Sequence, residues 1–146
     1  MMAVVAPGQI FHHGRYYLDD GGVWKAKFLL VLALTTDGDI VFRLLTSRQH
    51  GRPKVPPCYH GDPYPGLYLG HLGDSLTADS WLDLRRQDDY DRLDFAEDRD
   101  SGNLKPVMAL PADLLCQALE CAANADDTTR QQERVMRDQR ATLNCA

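Results

Sequence analysis

Lys27 opens a strongly apolar run, and Thr46, Ser47 and Arg48 close the next one. Two cations beside two hydroxyls offer a bound phosphate both charge and directed hydrogen-bond donors. Lys25 and Gln49 flank this set as peripheral contacts, and Asp79 supplies a carboxylate able to orient a base or touch a ligand. Each residue also has a plain structural use. A strand-edge lysine discourages aggregation, and Thr46 with Ser47 reads equally well as a hydrogen-bonding pair at a strand end.

Other reactive side chains carry weaker signals. His12 and His13, near Arg15, are of the type used for general acid–base chemistry, yet such a pair is more often simply polar and turned to solvent. Cys58 and His60, with His71, are metal-ligand types, but no second spaced pair accompanies them and no metal or other cofactor is expected. Nothing in the sequence places a base beside Cys58 to activate it. The four cysteines, Cys58, Cys116, Cys121 and Cys145, match no zinc or redox spacing. On a helix, Cys116 and Cys121 diverge by about 140° around the axis, which argues against a bond between them. Met1 to Pro7 has neither a basic region nor a long apolar core. A cytoplasmic protein with reduced thiols is therefore the expectation.

The elements that must position these residues are short. The chain has 146 residues, 44% hydrophobic and 25% charged, which suits one globular domain. No apolar run approaches the roughly 20 residues of a membrane span. Residues 8–18 read as a strand in which His12, His13 and Gly14 mark a bulge or loop. Asp19 to Gly22 is a turn, and Val23 to Leu34 reads as a strand buried on both faces from Phe28. Asp37-Gly38 is a strong hairpin signal, because this pair tolerates positive φ. Ile40 to Thr46 is then the antiparallel partner, with Arg43 as its one charged member. That pairing brings Lys27 and Thr46–Arg48 to the same end.

Residues 48–66, rich in proline and glycine, read as a long irregular loop. Leu67–Leu69, Ser80–Leu84 and Lys105–Leu110 read as further strands, and Asp88–Gly102 as an acidic, solvated segment. Pro111 opens a helix whose Leu114, Leu115, Ala118, Leu119 and Ala122 form one apolar face. Thr128 and Thr129 can cap a second helix to about Ala141. With Val135, Met136 and Leu143 as its apolar anchors, it reads as a solvated tail or a partner-dependent helix. The sum is a mainly β chain: a small, partly open, SH3-like antiparallel barrel at 8–124 with a C-terminal helix, then a polar tail at 125–146.

In this order the segments resemble the MazF/PemK (Kid) family, the ribonuclease toxins of toxin–antitoxin pairs. Gly8-Gln9-Ile10-Phe11 is similar to the family's Gly-Asp-x-aromatic first strand, and residues 27–33 to its Arg-Pro-x-apolar-Val-Leu-Ser strand. Leu44 to Arg48 resembles its Pro-x-Thr-Ser/Thr segment, Ala78-Asp79-Ser80 its x-Asp-Gln, and Val107 to Leu115 its last strand and helix. Lys27 stands where the family has a catalytic arginine, and Phe28 where it has proline. The resemblance implies a PemK-like barrel, a homodimer, an acidic antitoxin-like partner, and metal-free cleavage of single-stranded RNA. It implies Lys27, Thr46 and Asp79 as catalytic residues, and Lys25, Ser47, Arg48 and Gln49 as substrate contacts. Tyr16, Tyr17, Trp24, Tyr59, Tyr64 and Tyr68 fall in the first half of the chain, which has a basic excess, and are available to stack bases.

The net charge of −5 favours a rival, a non-catalytic barrel that holds a protein partner through the 48–66 loop or the C-terminal helix. The charge is uneven. Residues 1–73 have a surplus of two basic residues, and residues 74–146 a surplus of seven acidic ones. An anionic ligand therefore belongs to the first half.

Overall fold

The computed structural model describes residues 5–54 and 58–145. The expectations for residues 1–4, and for Pro56 and Pro57 of the long loop, lie outside the described residues. Six strands form one antiparallel sheet: β1 (Gln9–Leu18), β2 (Trp24–Leu34), β3 (Ile40–Thr46), β4 (Gly66–Gly70), β5 (Ser80–Asp83) and β6 (Leu104–Ala109). Their spatial order is β4-β5-β3-β2-β1-β6, and β4 and β6 are the two ends of a curled half-barrel.

Local chemistry sets the turns. Asp19 Oδ1 accepts from the amides of Gly21 and Val23, both at 2.9 Å, which closes the β1–β2 turn. Gly38, with φ +92°, closes the β2–β3 turn, where Thr35 N and Asp39 O pair at 2.9 Å. β2 and β3 then pair from Phe28–Leu45 to Leu34–Ile40, with one register shift between Val31 and Ala33. The β1–β2 register shifts between His13 and Tyr17, where a bulge was expected.

The apolar run of β2 is buried on both faces, as its composition predicts, and separates two cores. On one face Ile10, Leu30, Leu32, Val41 and Leu82 pack with Leu115, Leu119 and Met136. On the other, Phe11, Leu29, Val31 and Phe42 pack with Phe95 and Leu104. Helix α2 (Ala112–Ala123) buries Leu115, Ala118, Leu119 and Ala122 of the expected stripe, while Leu114, its first member, is only partly buried. Pro111 sits one place earlier than expected, at the N-cap.

Three expectations are corrected. The acidic 88–100 segment is no solvated loop: α1 (Arg92–Asp100) is capped by Asp91, whose side chain accepts from the amides of Leu93 and Asp94, and it buries Phe95. The second C-terminal helix, α3 (Arg130–Thr142), is capped by Thr129 as expected but does not stand off in solvent. It buries Met136 and Gln132 against the body, so a single methionine and a polar anchor replace the missing apolar stripe. The thiols are not reduced either. Cys58 pairs with Cys121 and Cys116 with Cys145, each with Cα atoms 5.7 Å apart. Cys116 and Cys121 do not bond each other, as their helical separation requires, but each has a distant partner. The ground for expecting a reducing compartment is thereby removed. Among the described residues, no helix is long and apolar enough to cross a membrane.

Candidate functional site

One row of residues crosses the sheet on a single face. His13 is paired with Leu104 of β6 and with Lys27 of β2. One step beyond the Phe28–Leu45 pair, Lys27 lies beside Thr46. Thr46 is paired with Trp81, and Trp81 with Tyr68. Residues opposite one another in a sheet share a face, so Lys27, Thr46, Trp81 and Tyr68 lie on one face over three strand spacings, about 14 Å, with Trp81 itself buried.

Asp79 joins this row from the approach to β5, two residues before Trp81 and so on the same face. Its Oδ1 accepts from the Tyr68 hydroxyl at 2.6 Å and lies 2.6 Å from His71 Nε2. Its Oδ2 lies 2.9 Å from Lys54 Nζ. The placement of Lys54 has a cause. Trp81 Nε1 donates to Pro53 O at 3.0 Å, pinning the residue next to Lys54 against the sheet. His71 follows Gly70, whose φ of +80° turns the chain off β4. The hydrogen bond from Tyr68, then that from Lys54, then that from His71, favour the carboxylate and draw its pKa down to about 2. The same bonds push the Tyr68 hydroxyl and the Lys54 ammonium up.

The other sequence-derived residues are spread around this row. Thr46 Oγ1 accepts from Arg48 N at 3.1 Å. Ser47, Arg48 and Gln49 are exposed beyond the end of β3. Gln49 Nε2 donates to Arg52 O at 2.8 Å, and the buried Arg52 donates from Nη1 to Arg48 O at 2.7 Å and from Nε to Pro65 O at 3.2 Å. This guanidinium is an internal strut for the long loop. Lys25 lies towards the β1–β2 turn, 3.6 Å from Asp19, and is not brought to Asp79. Thr46 and Ser47 also line a pocket of about 170 Å³ with Phe28, Ser75, Thr77 and Ser80, rich in hydroxyls.

At the Lys27 end the aromatics are open. Lys27 Nζ lies 5.8 Å from the centre of the Tyr17 ring, and the Arg15 guanidinium 6.0 Å from that of Trp24. Tyr17 is 43% exposed and Trp24 48%. The reading of His13 as a polar residue facing solvent is corrected. It is buried, its Nδ1 accepts from Arg15 N at 3.1 Å, and its Nε2 lies 3.5 Å from Asp98. His12 packs edge-on to Phe28. The acidic segment thus meets the row at its His13 end, where a cavity of about 590 Å³ is lined by carboxylates between Asp88 and Asp98. There Tyr90 donates to Asp98, and burial followed by that hydrogen bond raises the Tyr90 pKa.

Lys54 was not found from the sequence, where His71 reads only as a metal-ligand type and Tyr68 only as a stacking aromatic. They come from a loop, a strand exit and a strand interior, and only the fold brings them to one carboxylate. Comparison of the chain with protein-family models, with curated proteins and with solved structures gives no significant match.

Proposed function

We propose that this protein binds single-stranded RNA along the Lys27–Thr46–Trp81–Tyr68 row and cleaves it without a metal. The observation that carries the reading is the register. Lys27 and Thr46 lie on adjacent strands of one face; Thr46 is paired with Trp81 and Trp81 with Tyr68, and it is Tyr68 that donates to the Asp79 carboxylate. In such a cleavage the ribose 2′ oxygen bonds to the adjacent phosphorus and the bond to the 5′ oxygen breaks, leaving a 2′,3′-cyclic phosphate. Lys27 and the Thr46 hydroxyl stabilise the charge that builds on the phosphorane. Tyr17, exposed beside Lys27 on this face, offers a stacking surface to an unpaired base. The PemK-like identity, the acidic partner and the homodimer belong to the same proposal.

A second reading, a non-catalytic interaction module, is favoured by one feature. Asp79, Lys54 and Lys25 already form ion pairs within the chain. The test is incubation of the purified protein with unstructured RNA, with and without EDTA. Cleavage should persist in EDTA, and Lys27→Ala and Thr46→Ala should each lower it about 10²–10³-fold. Undiminished cleavage by the double variant removes the site. Loss on chelation removes the metal-free mechanism. Intact RNA together with a co-purifying protein favours the second reading.

A further inference from the structure

We propose that His71 is the proton-transferring group of this site and that Asp79 acts through it as a positioning residue; the assignment rests on the RNA-cleavage reading above. His71 Nε2 sits 2.6 Å from Asp79 Oδ1, and the side chain is 65% exposed. An ionised carboxylate only accepts hydrogen bonds, so Nε2 carries a proton, and in the neutral imidazole it is then Nδ1 that has the lone pair. The carboxylate has little freedom to turn away, because Tyr68 holds the same oxygen at 2.6 Å and Lys54 the other at 2.9 Å. A carboxylate kept this acidic is a poor proton acceptor near neutral pH, whereas an imidazole is the side chain suited to that work.

The neighbouring candidates are already committed. The Tyr68 hydroxyl gives its one proton to the bond with Asp79, and the Lys54 ammonium beside the other oxygen is a donor with no lone pair to accept a proton. His13 is buried, with Nδ1 accepting a backbone hydrogen bond. His71 is left as an oriented imidazole with an accessible nitrogen, held at the Tyr68 end of the row by the carboxylate that ties it there.

The step balances. As the 2′ oxygen bonds to phosphorus, its proton passes to His71 Nδ1. The bond from phosphorus to the 5′ oxygen breaks, and that oxygen takes a proton from water. The imidazolium then returns its proton to water, so His71 ends as it began.

The experiment compares wild type, His71→Gln, His71→Gly and Lys27→Ala on a short unstructured RNA, with binding followed separately by fluorescence anisotropy. His71→Gln should lower the cleavage rate about 10²–10⁴-fold while affinity changes less than about threefold. Free imidazole should restore part of the rate of His71→Gly and none of the rate of Lys27→Ala. Wild-type cleavage by His71→Gln overturns the assignment and leaves the RNA reading standing. A slow but folded His71→Gly that imidazole does not rescue makes His71 a structural residue and overturns it too. RNA left intact by the wild type overturns both readings together.

Discussion

Arg43 Nη2 donates to Gln132 Oε1 at 2.9 Å, joining the middle of the sheet to a helix 89 residues further along the chain. Arg43 is completely buried, and burial lowers its pKa to about 10, so it remains a cation at neutral pH. Its other bonds run to Phe42 O at 2.7 Å and Thr128 Oγ1 at 3.2 Å. Gln132 in turn donates from Nε2 to Gln87 O and to Asp89. One amide therefore links β3, α3 and the segment between β5 and α1. Gln132→Ala should cost about 2–3 kcal/mol, the scale of a lost bond to a buried charge plus unsatisfied acceptors. Urea unfolding of Arg43→Met, Gln132→Ala and the double variant should give a coupling of about 0.5–3 kcal/mol. Strict additivity would show that the pair does not hold α3 in place.

The two disulfides make a prediction that separates them from chance proximity of thiols. Cys58–Cys121 closes a separation of 63 residues and Cys116–Cys145 one of 29. In the chain-entropy account, loops of this size correspond to roughly 4 kcal/mol each. The native protein should show no thiol reactive to a colorimetric reagent, and four should appear after denaturation and reduction. Cys58→Ser with Cys121→Ser, and separately Cys116→Ser with Cys145→Ser, should each lower the urea midpoint. Four reactive thiols in the freshly isolated, unreduced protein would restore the reducing-compartment expectation.

What the sequence made legible is what local chemistry determines. Asp37-Gly38 identified the central hairpin, and the pairing that follows from it put Lys27 beside Thr46. The stripe Leu115, Ala118, Leu119 and Ala122 identified α2. Elements held by distant polar contacts were not legible. The docking of α3 rests on Arg43 and Gln132, which carry no periodic apolar signal. Helix α1 buries one aromatic, Phe95, among acids that suit a solvated loop equally well. In the site, Asp79 was visible as a carboxylate near a strand start. Its partners were not, because Lys54 reaches it through the Trp81–Pro53 bond and His71 through a turn at Gly70. Cysteine spacing cannot specify which of several connectivities forms.

The hydrogen bonds to Asp79 should leave a signature in acid. Its pKa falls from 3.8 to about 2 in the folded state. The unfolded chain therefore takes up this proton first as pH drops. The contribution of Asp79 is present in full above about pH 4, and it fades as pH falls towards about 2. Thermal melts of wild type and Asp79→Asn should differ most above pH 4, and the gap should narrow across that window. A gap that stays constant from pH 5 to pH 2 would mean that the bonds from Tyr68, Lys54 and His71 do not hold the ionised carboxylate in solution.

Phe95 decides whether the acidic segment is a folded part of the body. Its ring meets Phe11 edge-on at 5.2 Å and Tyr90 at 5.1 Å, and only 2% of the residue is exposed. Around it, Arg92 donates to Asp37 O at 3.0 Å, and Tyr90 pairs with Ile40 through two backbone bonds. These contacts tie the start of α1 to the β2–β3 hairpin. Phe95→Ala should therefore cost about 3–5 kcal/mol, as for other buried aromatics truncated in a core. It should also accelerate amide exchange from residue 95 to residue 100 more than in α2. Leu115→Ala should cost about 2–5 kcal/mol on the opposite face of the sheet. If Phe95→Ala leaves the unfolding midpoint unchanged while Leu115→Ala lowers it, α1 is not part of the cooperative fold and the acidic segment does not cover this face in the isolated chain.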